Sequence, residues 1–424
     1  MIYTIISPSM DILILPVPFQ VMLFLAIPFF IKLFIYLVLS PWYKIKKFLI
    51  QKRYPLRYEP KVTIIIPAWN EEVGIINSID SALKCDYPDF EVLAINDGST
   101  DRTDEMAREY LENYNKRKKI GSPVLRYHYQ ANGGKASAIN RGIMLAEGEI
   151  IITIDSDSII DSAAIGEFVK HFKDPKVMSV AGNIKVGNIK GTLGLIQHLE
   201  FVATFCMKKV ESFFNGVFVV GGAAAAYRKS VFDEVGFFTT GNITEDIDMS
   251  VRIQDAGYKV LYAEKALVIT EGATSFSGLV KQRVRWKRGR FETFLNYKKM
   301  FFSTQKKHNP FLTWIILPIG LLAELFLFYE VIFIPFILFY SILHLNLIFL
   351  LSGMVIGMTI FMSEYFGNYK LNRLVGPFIP IAPILFYFAV YVEFFALVKT
   401  LYTMIFKKEV KWQVWKREGV LGGD

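Results

Sequence analysis

Hydrophobic residues collect at the two ends of this 424-residue chain, whereas its middle alternates short apolar runs with amphipathic ones. Near the start, the run Ile12–Leu39 is almost wholly apolar and contains a single charged residue, Lys32. Because about 20 apolar residues span a bilayer, this run predicts one long membrane helix or two short ones broken near Pro28. It is too long for a signal peptide, so residues 1–57 are interpreted as an N-terminal membrane anchor.

Residues 58–275 have the rhythm of an α/β domain. The β-rich runs are Val62–Pro67, Val92–Asn96, Val124–Tyr129 and Ile150–Ile154, and runs with helical spacing begin at Glu71, Asp101, Gly134 and Asp161. This βαβα order predicts a mostly parallel, Rossmann-like sheet with helices on both faces. Ligands of such sheets bind where the strands end, so polar residues at those points are candidates for a functional site.

The C-terminal part begins with a basic, aromatic segment, residues 276–308, which is predicted to lie along a membrane interface. Residues 309–424 follow as a membrane region with a basic tail. Its long apolar runs are Phe311–Tyr340, Ile342–Met362 and Val375–Phe406, which predict at least three spans. An odd number of spans would separate the tail from a cytoplasmic domain. Either a further piece is hidden near Pro380 and Pro383, or the tail is an exception.

Three acidic residues, Glu324, Glu330 and Glu393, lie inside these apolar runs. Carboxylates within a membrane are costly to leave unpaired, and they usually face a cavity or a partner. Each of the three is therefore predicted to do so.

Composition supports a membrane protein, since hydrophobic residues make up 53% of the chain and the mean hydropathy is +0.34. The net charge is +9, and the basic residues cluster beside the apolar runs. One cluster comprises Lys281, Arg283, Arg285, Lys287, Arg288, Arg290, Lys298 and Lys299. Such placement suits an anionic lipid surface and argues against a nucleic-acid partner. The isolated Cys85 and Cys206, with no HExxH sequence, predict neither a disulfide framework nor a zinc site.

Polar motifs follow the first two predicted strands. The first strand runs into Pro67, Asn70 and Glu71, a pattern that an ordinary βα turn explains equally well. The second is followed by Asp97, whose carboxylate can accept hydrogen bonds from a base imide or a ribose. Gly98 beside it lets a ligand approach the backbone. The residues after Gly98 are alternatively helix caps, and both interpretations can hold together.

A glycine-rich turn, Gly133-Gly134-Lys135, opens the next helical run. A P-loop requires a further glycine where this chain has Tyr129, so the turn is not a P-loop. A lysine at the start of a helix suits a phosphate or sugar contact. A plain turn before a helix is an equally open alternative.

The fourth predicted strand ends in Asp155-Ser156-Asp157. Strand residues two apart share a face, so one divalent cation bound to a diphosphate can reach both carboxylates. Mg²⁺ and Mn²⁺ favour such sparse carboxylate sites and take their remaining ligands from phosphate and water.

Two further motifs lie towards the C-terminus. The sequence Thr244-Glu245-Asp246 opens a helical run, where acidic residues either stabilise the helix dipole or provide a general base. Gln282, Arg285 and Trp286 form a third pattern, in which Arg can bind a diphosphate and Trp can stack on a sugar. A basic helix on a membrane surface is the alternative for that segment.

In this order, the motifs around Asp97, Asp155, Asp246 and Trp286 resemble those of family 2 glycosyltransferases with the A-type fold, over about residues 60–300. The last motif resembles that of the processive branch, which includes poly-N-acetylglucosamine, chitin-oligosaccharide and hyaluronan synthases. The resemblance implies Asp246 as the catalytic base with Glu245 beside it. It implies nucleotide-sugar binding by Pro67, Asn70, Glu71, Asp97, Lys135, Asp155 and Arg285, acceptor binding by Gly221, Gly222, Gln282 and Trp286, and Mg²⁺ or Mn²⁺ on Asp155 and Asp157.

The implied function is that of an inverting glycosyltransferase in the plasma membrane, with several spans and a cytoplasmic catalytic domain. It would transfer a sugar, N-acetylglucosamine from UDP-N-acetylglucosamine as the first candidate, to a growing β-linked polysaccharide and extrude the product. Addition of one sugar to a polyprenyl phosphate or a glycolipid is the alternative. An inactive transporter or scaffold is disfavoured because the acidic motifs are intact. The implied partners are the donor, the acceptor, the lipid bilayer and a small auxiliary membrane subunit.

Overall fold

A computed structural model describes residues 58–189, 191–343, 373–408 and 419–420, together with isolated residues between 20 and 45 and between 358 and 365. The predicted anchor run Ile12–Leu39 and the apolar run Ile342–Met362 lie mostly outside the described residues.

The described strands and helices alternate through the middle of the chain. The strands are β1 (Val62–Ala68), β2 (Phe90–Asp97), β3 (Val124–Gln130), β4 (Ile150–Ile154), β5 (Ser158–Ile160), β6 (Val177–Val186), β7 (Ala224–Arg228) and β8 (Lys259–Thr270). The helices are α1 (Ile75–Leu83), α2 (Thr103–Arg117), α3 (Lys135–Leu145), α4 (Ala164–Val169), α5 (Gly191–Phe213), α6 (Val231–Val235), α7 (Glu245–Asp255), α8 (Phe276–Asn296), α9 (Leu317–Leu343) and α10 (Ala382–Ile405). Short 3-10 turns lie at Lys170–Lys173, Lys298–Met300 and Arg373–Phe378, and a π-helical turn, Leu312–Ile316, leads into α9.

The strands form one sheet with the order β3-β2-β1-β4-β7-β6-β8-β5. In its first half, β1 to β4 are all parallel, and Val62 pairs with both Phe90 and Ile150. Every residue of β1 is buried, as expected of a parallel strand that is covered on both faces and reads as a continuous apolar run. The four predicted strands are therefore confirmed.

The second half of the sheet is mixed, because β7 runs antiparallel to both of its neighbours, β4 and β6. An alanine run, Ala224–Ala226, forms most of β7 and is fully buried. Space is limited there, since a Cβ added at Gly182 would lie 2.8 Å from the Cβ of Ala224. Strands β6 and β8 pair in parallel, and β5 pairs antiparallel with β8. Four of the seven strand pairings are therefore parallel, which agrees with the prediction of a mostly parallel sheet, and the antiparallel pairings of β5 and β7 were not predicted.

Helix α3, whose first residue is Lys135, lies close against the parallel half of the sheet. A Cβ added at Gly142 of this helix would be 2.6 Å from Cγ2 of Ile65. Glycine at position 142 therefore permits the close packing that places Lys135 near the ends of β1 and β4.

Two of the described helical stretches, Leu312–Phe333 and Tyr387–Ile405, are long and apolar enough to cross a membrane. They belong to α9, with its π-helical turn, and to α10. The predicted runs Phe311–Tyr340 and Val375–Phe406 each contain one of them. Helix α8 forms the core of the predicted interface segment and contacts both α9 and α10 through ion pairs.

Candidate active site

Asp97, at the end of β2, is buried and holds the glycine-rich turn in place. Its carboxylate accepts hydrogen bonds from the backbone N–H groups of Gly133 and Gly134, at 3.0 and 2.8 Å, and from Nε2 of Gln130 at 2.7 Å. The adjacent Gly98 has a φ of 69°, and a Cβ there would lie 2.6 Å from the backbone nitrogen of residue 132. Glycine is needed at position 98 for both reasons.

Lys135 joins the end of β4 to the start of α7. Its Nζ pairs with Asp155 and lies 3.7 Å from Oε1 of Glu245. Burial lowers the pKa of Lys135, but Asp155 and Glu245 outweigh this effect, so the pKa is raised and the ammonium is retained. The pKa of Glu245 is itself raised by burial, with Lys135 opposing that shift and Asp246 adding to it.

Asp155 and Asp157 follow β4 and both line the same cavity. Asp157 accepts hydrogen bonds from the hydroxyls of Ser158 and Thr270, each at 3.2 Å. Two hard carboxylate oxygen donors beside a cavity fit Mg²⁺ or Mn²⁺. Within the described ranges, no group of three or more His, Cys, Asp or Glu side chains is arranged to hold a metal ion. An ion bound here would therefore take its other ligands from a substrate and water.

Asp246, the second residue of α7, is held by two backbone hydrogen bonds. Its Oδ2 accepts from the N–H of Gly222 at 3.0 Å, and its Oδ1 accepts from the N–H of Ile247 at 2.9 Å. A Cβ at Gly222 would lie 3.1 Å from Nζ of Lys135 and 3.6 Å from Oδ2 of Asp246. The glycine therefore keeps open the space between the lysine and the carboxylate.

Helix α8 brings the third motif to the same place. Its N-cap Ser275 accepts a hydrogen bond from the N–H of Gly278 at 3.1 Å. A Cβ at Gly289 would fall 1.7 Å from Oγ1 of Thr244, so glycine lets α8 lie directly against the residue that precedes α7. This contact brings Arg285 and Trp286 into the lining of the same cavity as Glu245 and Asp246.

One cavity, of about 650 Å³, collects nearly all of the residues that the sequence singled out. Those that line it are Pro67, Glu71, Asp97, Lys135, Asp155, Asp157, Gly221, Gly222, Glu245, Asp246, Gln282, Arg285 and Trp286. Asn70 is not among the lining residues. Its side-chain oxygen accepts from the N–H of Thr100 at 2.8 Å, and its φ is 54°, so it shapes the loop behind the cavity wall.

The cavity extends from the strand ends to the π-helical turn and the start of the apolar helix α9, where Ile316, Gly320 and Ala323 line it. Its wall therefore combines charged residues of the α/β domain with small and apolar residues of α9.

Helix α8 also carries a cluster of ion pairs, in which the side chains of Arg283, Lys287 and Glu324 are only 3% exposed. Arg283 lies 2.7 Å from Glu200 and 3.2 Å from Glu393. Lys287 lies 2.6 Å from Glu324 and 2.7 Å from Glu393, and Arg290 lies 2.6 Å from Glu324. The prediction that Glu324 and Glu393 face a partner is confirmed. Among the described residues no ion pair is seen for Glu330.

The interpretation of the α8 basic cluster as a lipid-facing surface is wrong for Arg283 and Lys287. Only 3% of each side chain is exposed, and each pairs with glutamates of other helices. The positive charges of these two buried residues are neutralised by glutamates, so ion pairing and not attraction to lipid accounts for them.

Sequence reasoning missed helix α5 as a wall of the cavity. The lining residues of α5 recur every three or four positions, which is the spacing of one helical face. They include Gln197, Glu200, Phe201, Thr204, Phe205, Lys208 and Glu211. The helical spacing of these residues is visible in the sequence. The sequence does not indicate, however, that this face of α5 lines the cavity.

Comparison with known proteins gives the class. The sequence model of the family described as "Glycosyltransferase like family 2" matches residues 60–289. This match covers more than half of the chain, and the chain belongs to family 2 of the glycosyltransferases. A mannosyltransferase from Pyrobaculum calidifontis, in a structure with GDP-Man and Mn²⁺, superposes with a TM-score of 0.55 at 18% identity. That superposition covers 89% of this chain and 100% of the mannosyltransferase and shows the shared A-type fold.

Curated relatives are closer in sequence. The poly-beta-1,6-N-acetyl-D-glucosamine synthase of Staphylococcus aureus strain COL is 32% identical over 269 residues, which cover 61% of this chain and 63% of the synthase. The synthase of Staphylococcus epidermidis is 32% identical over 247 residues, which cover 58% of this chain and 57% of the synthase. The matched region thus spans less than two thirds of each relative.

Proposed function

We propose that this enzyme transfers N-acetylglucosamine from UDP-N-acetylglucosamine to the end of a growing β-linked glycan, with inversion at the anomeric carbon. The observation that carries the proposal is the single cavity described above. It holds Asp155 and Asp157, Asp246 and Trp286 together, and it reaches α9. The similarity to the staphylococcal synthases supports this choice of sugar over other hexoses.

The donor end of the cavity is set by the strand ends. We infer that Asp97 and the loop from Pro67 to Glu71 receive the nucleoside, and that Arg285 neutralises the diphosphate. Asp155 and Asp157 would hold Mg²⁺ or Mn²⁺, which supplies charge stabilisation to the departing diphosphate when it is bound. Lys135 keeps Asp155 and the buried Glu245 in place through its ion pairs.

The chemical step places a proton on Asp246. The acceptor hydroxyl oxygen forms a bond to the anomeric carbon while the bond from that carbon to the diphosphate oxygen breaks. The hydroxyl proton passes to the Asp246 carboxylate, and the leaving group departs as UDP. The N–H groups of Gly222 and Ile247 fix the two carboxylate oxygens, so the base is oriented before the acceptor arrives.

The acceptor end of the cavity faces the apolar helices. Trp286 offers an aromatic surface for a sugar, and the small residues Gly221 and Gly222 leave room for its ring. We infer that α9 and α10 cross the membrane and that the catalytic domain lies on the cytoplasmic side. A product that grows along this cavity would leave it beside the bilayer, which is what a processive synthase that extrudes its product requires.

A second candidate function rests on the same feature. Because α9 contributes to the cavity wall, a lipid acceptor lying in the bilayer could also present its head group to Asp246. The enzyme would then add one sugar to a polyprenyl phosphate or a glycolipid.

The test uses the purified full-length chain in nanodiscs. It is incubated with labelled UDP-sugars and GDP-mannose, with Mg²⁺, Mn²⁺ or a chelator. We expect transfer from UDP-N-acetylglucosamine, loss of transfer with the chelator, and products longer than one sugar under excess donor. A lipid carrying one sugar as the sole product would replace the first candidate with the second.

The matched variants are Asp246→Asn in the cavity and Asp233→Asn on the exposed part of α6. Removal of a general base typically costs about 10²- to 10⁴-fold in rate, so only the first variant is expected to lose transfer. Full activity of Asp246→Asn would remove Asp246 from the mechanism.

A further inference from the structure

Lys208 of α5 is a buried lysine on the cavity wall, outside every motif discussed so far. Its residue is 9% exposed, and its Nζ donates a hydrogen bond to the carbonyl of Val219 at 2.9 Å. The same Nζ lies 4.7 Å from the centroid of the Phe205 ring. An ammonium has three N–H donors, and this one uses a single carbonyl acceptor among the residues that the structure describes.

The next residue of α5, Lys209, is also buried but differs from Lys208 in its partner. Lys209 forms an ion pair with Glu264 at 2.8 Å, and both side chains are almost fully buried. Lys208 forms no such pair with any carboxylate in the described part of the chain. Burial lowers its pKa to about 8, while Glu211 and Asp246 partly oppose that shift. A buried cation that is kept at a cavity wall without an ion pair is typical of a ligand-binding group.

The surroundings of Lys208 suit a neutral sugar better than a phosphate. Phe201 and Phe205 on the same wall lie edge to face, 6.1 Å apart, and both contribute to the cavity lining. Glu200 and Glu211 line the cavity on the same face of α5. Carboxylates beside the ammonium would repel a phosphate, whereas sugar hydroxyls can donate to the carboxylates and accept from the lysine.

Its position relative to the catalytic base places this group on the acceptor side. Lys208 binds the carbonyl of Val219, and three residues further on the N–H of Gly222 binds Asp246. Three residues span at most about 11 Å, so the carbonyl that Lys208 binds lies close to the backbone N–H that holds Asp246.

We propose that Lys208, with Phe201 and Phe205, forms a subsite that binds the acceptor sugar unit behind the one being extended. The ammonium donates a hydrogen bond to a hydroxyl or amide oxygen of that unit, and the aromatic rings pack against its face. This inference rests on the proposed glycan acceptor and names a binding group that the family motifs do not include.

The test measures how transfer depends on acceptor length in nanodiscs that contain the full chain. The acceptors are N-acetylglucosamine itself, which cannot reach the proposed subsite, and its β-linked pentasaccharide, with UDP-N-acetylglucosamine held constant. Wild type is expected to use the pentasaccharide better than the monosaccharide. Lys208→Met should raise the KM for the pentasaccharide about tenfold, because a hydrogen bond to a charged group is lost. The donor KM and the rate of donor hydrolysis should not change.

Two further variants keep the test decisive if Lys208→Met folds poorly. Lys208→Gln keeps an N–H donor without the charge and should recover part of the loss. Phe201→Leu removes an aromatic ring and should weaken only the longer acceptor. Equal acceptor-length dependence in wild type and all three variants would overturn the subsite. Absence of any transfer by wild type would instead reject the proposed function.

Discussion

Arg285 faces the cavity from helix α8, whereas Arg283 and Lys287, two residues to either side of it, point towards the apolar helices α9 and α10. Residues two apart lie on different sides of a helix, and residues four apart share a side. The same side-chain chemistry therefore meets a ligand cavity on one face and fixed carboxylates on the other.

The charges on the two faces differ in how they are balanced. Three basic residues of α8, Arg283, Lys287 and Arg290, pair with the carboxylates of Glu200, Glu324 and Glu393, so the formal charge of this cluster sums to zero. Glu200 and Arg290 lie at its edge and also line the cavity. On the cavity face, Arg285 lies near enough to Glu245 for its charge to lower the pKa of that carboxyl, against the larger effect of burial. The two faces meet at Trp286, whose ring lies 4.2 Å from the guanidinium carbon of Arg283. This arrangement predicts stability effects on one face and kinetic effects on the other.

The largest effect is expected from Lys287→Met, which removes the cation shared by Glu324 and Glu393 and leaves each of them with one arginine partner. Breaking a buried ion pair from one side typically costs about 3–5 kcal/mol. Thermal unfolding in detergent should show the loss. Lys281→Met, an exposed change on the same helix, is the control and should behave as wild type. Equal unfolding temperatures for the two variants would show that the cluster does not stabilise the fold.

On the cavity face, Arg285→Gln should leave the unfolding temperature unchanged and reduce kcat. A charged group that stabilises a developing negative charge typically contributes about 10²- to 10³-fold in rate. Steady-state transfer from UDP-N-acetylglucosamine measures it. A lower unfolding temperature with an unchanged kcat would instead show that Arg285 stabilises the fold and does not contribute to the rate.

The strand ends could be predicted from the sequence, because the apolar runs of β1 to β4 and the polar residues after them are local features. Asp97 and Asp155 lie in the cavity for that reason. Which basic residues of α8 pair with glutamates and which enter the cavity could not be predicted, because Glu200, Glu324 and Glu393 come from three other helices. Helical spacing separates Arg285 from its neighbours but does not say which side holds the cavity. The antiparallel strand β7 was missed because short alanine runs carry no strand signal.

Gly289→Ala tests whether the two faces are independent. The added Cβ would overlap the side chain of Thr244 and push α8 away from the start of α7. Overpacking of this kind typically costs about 1–3 kcal/mol, and the same displacement would move Arg285 away from Glu245 and Asp246. We expect both the unfolding temperature and kcat to fall together. A fall in stability alone would show that α8 can shift without disturbing the active site.

The smallest effect is expected from Ser275→Ala, which removes the N-cap of α8 but touches neither face. The loss of the hydrogen bond to the N–H of Gly278 should cost about 1 kcal/mol of stability. Because the cap only ends the helix, kcat and both KM values should stay at wild-type levels while the unfolding temperature drops slightly. Ser275→Asp, which can accept the same hydrogen bond, is the matched control and should restore the temperature. A large fall in kcat from Ser275→Ala would mean that the start of α8 positions Gln282 and Arg285 directly, and the division of this helix into a structural and a catalytic face would then be too simple.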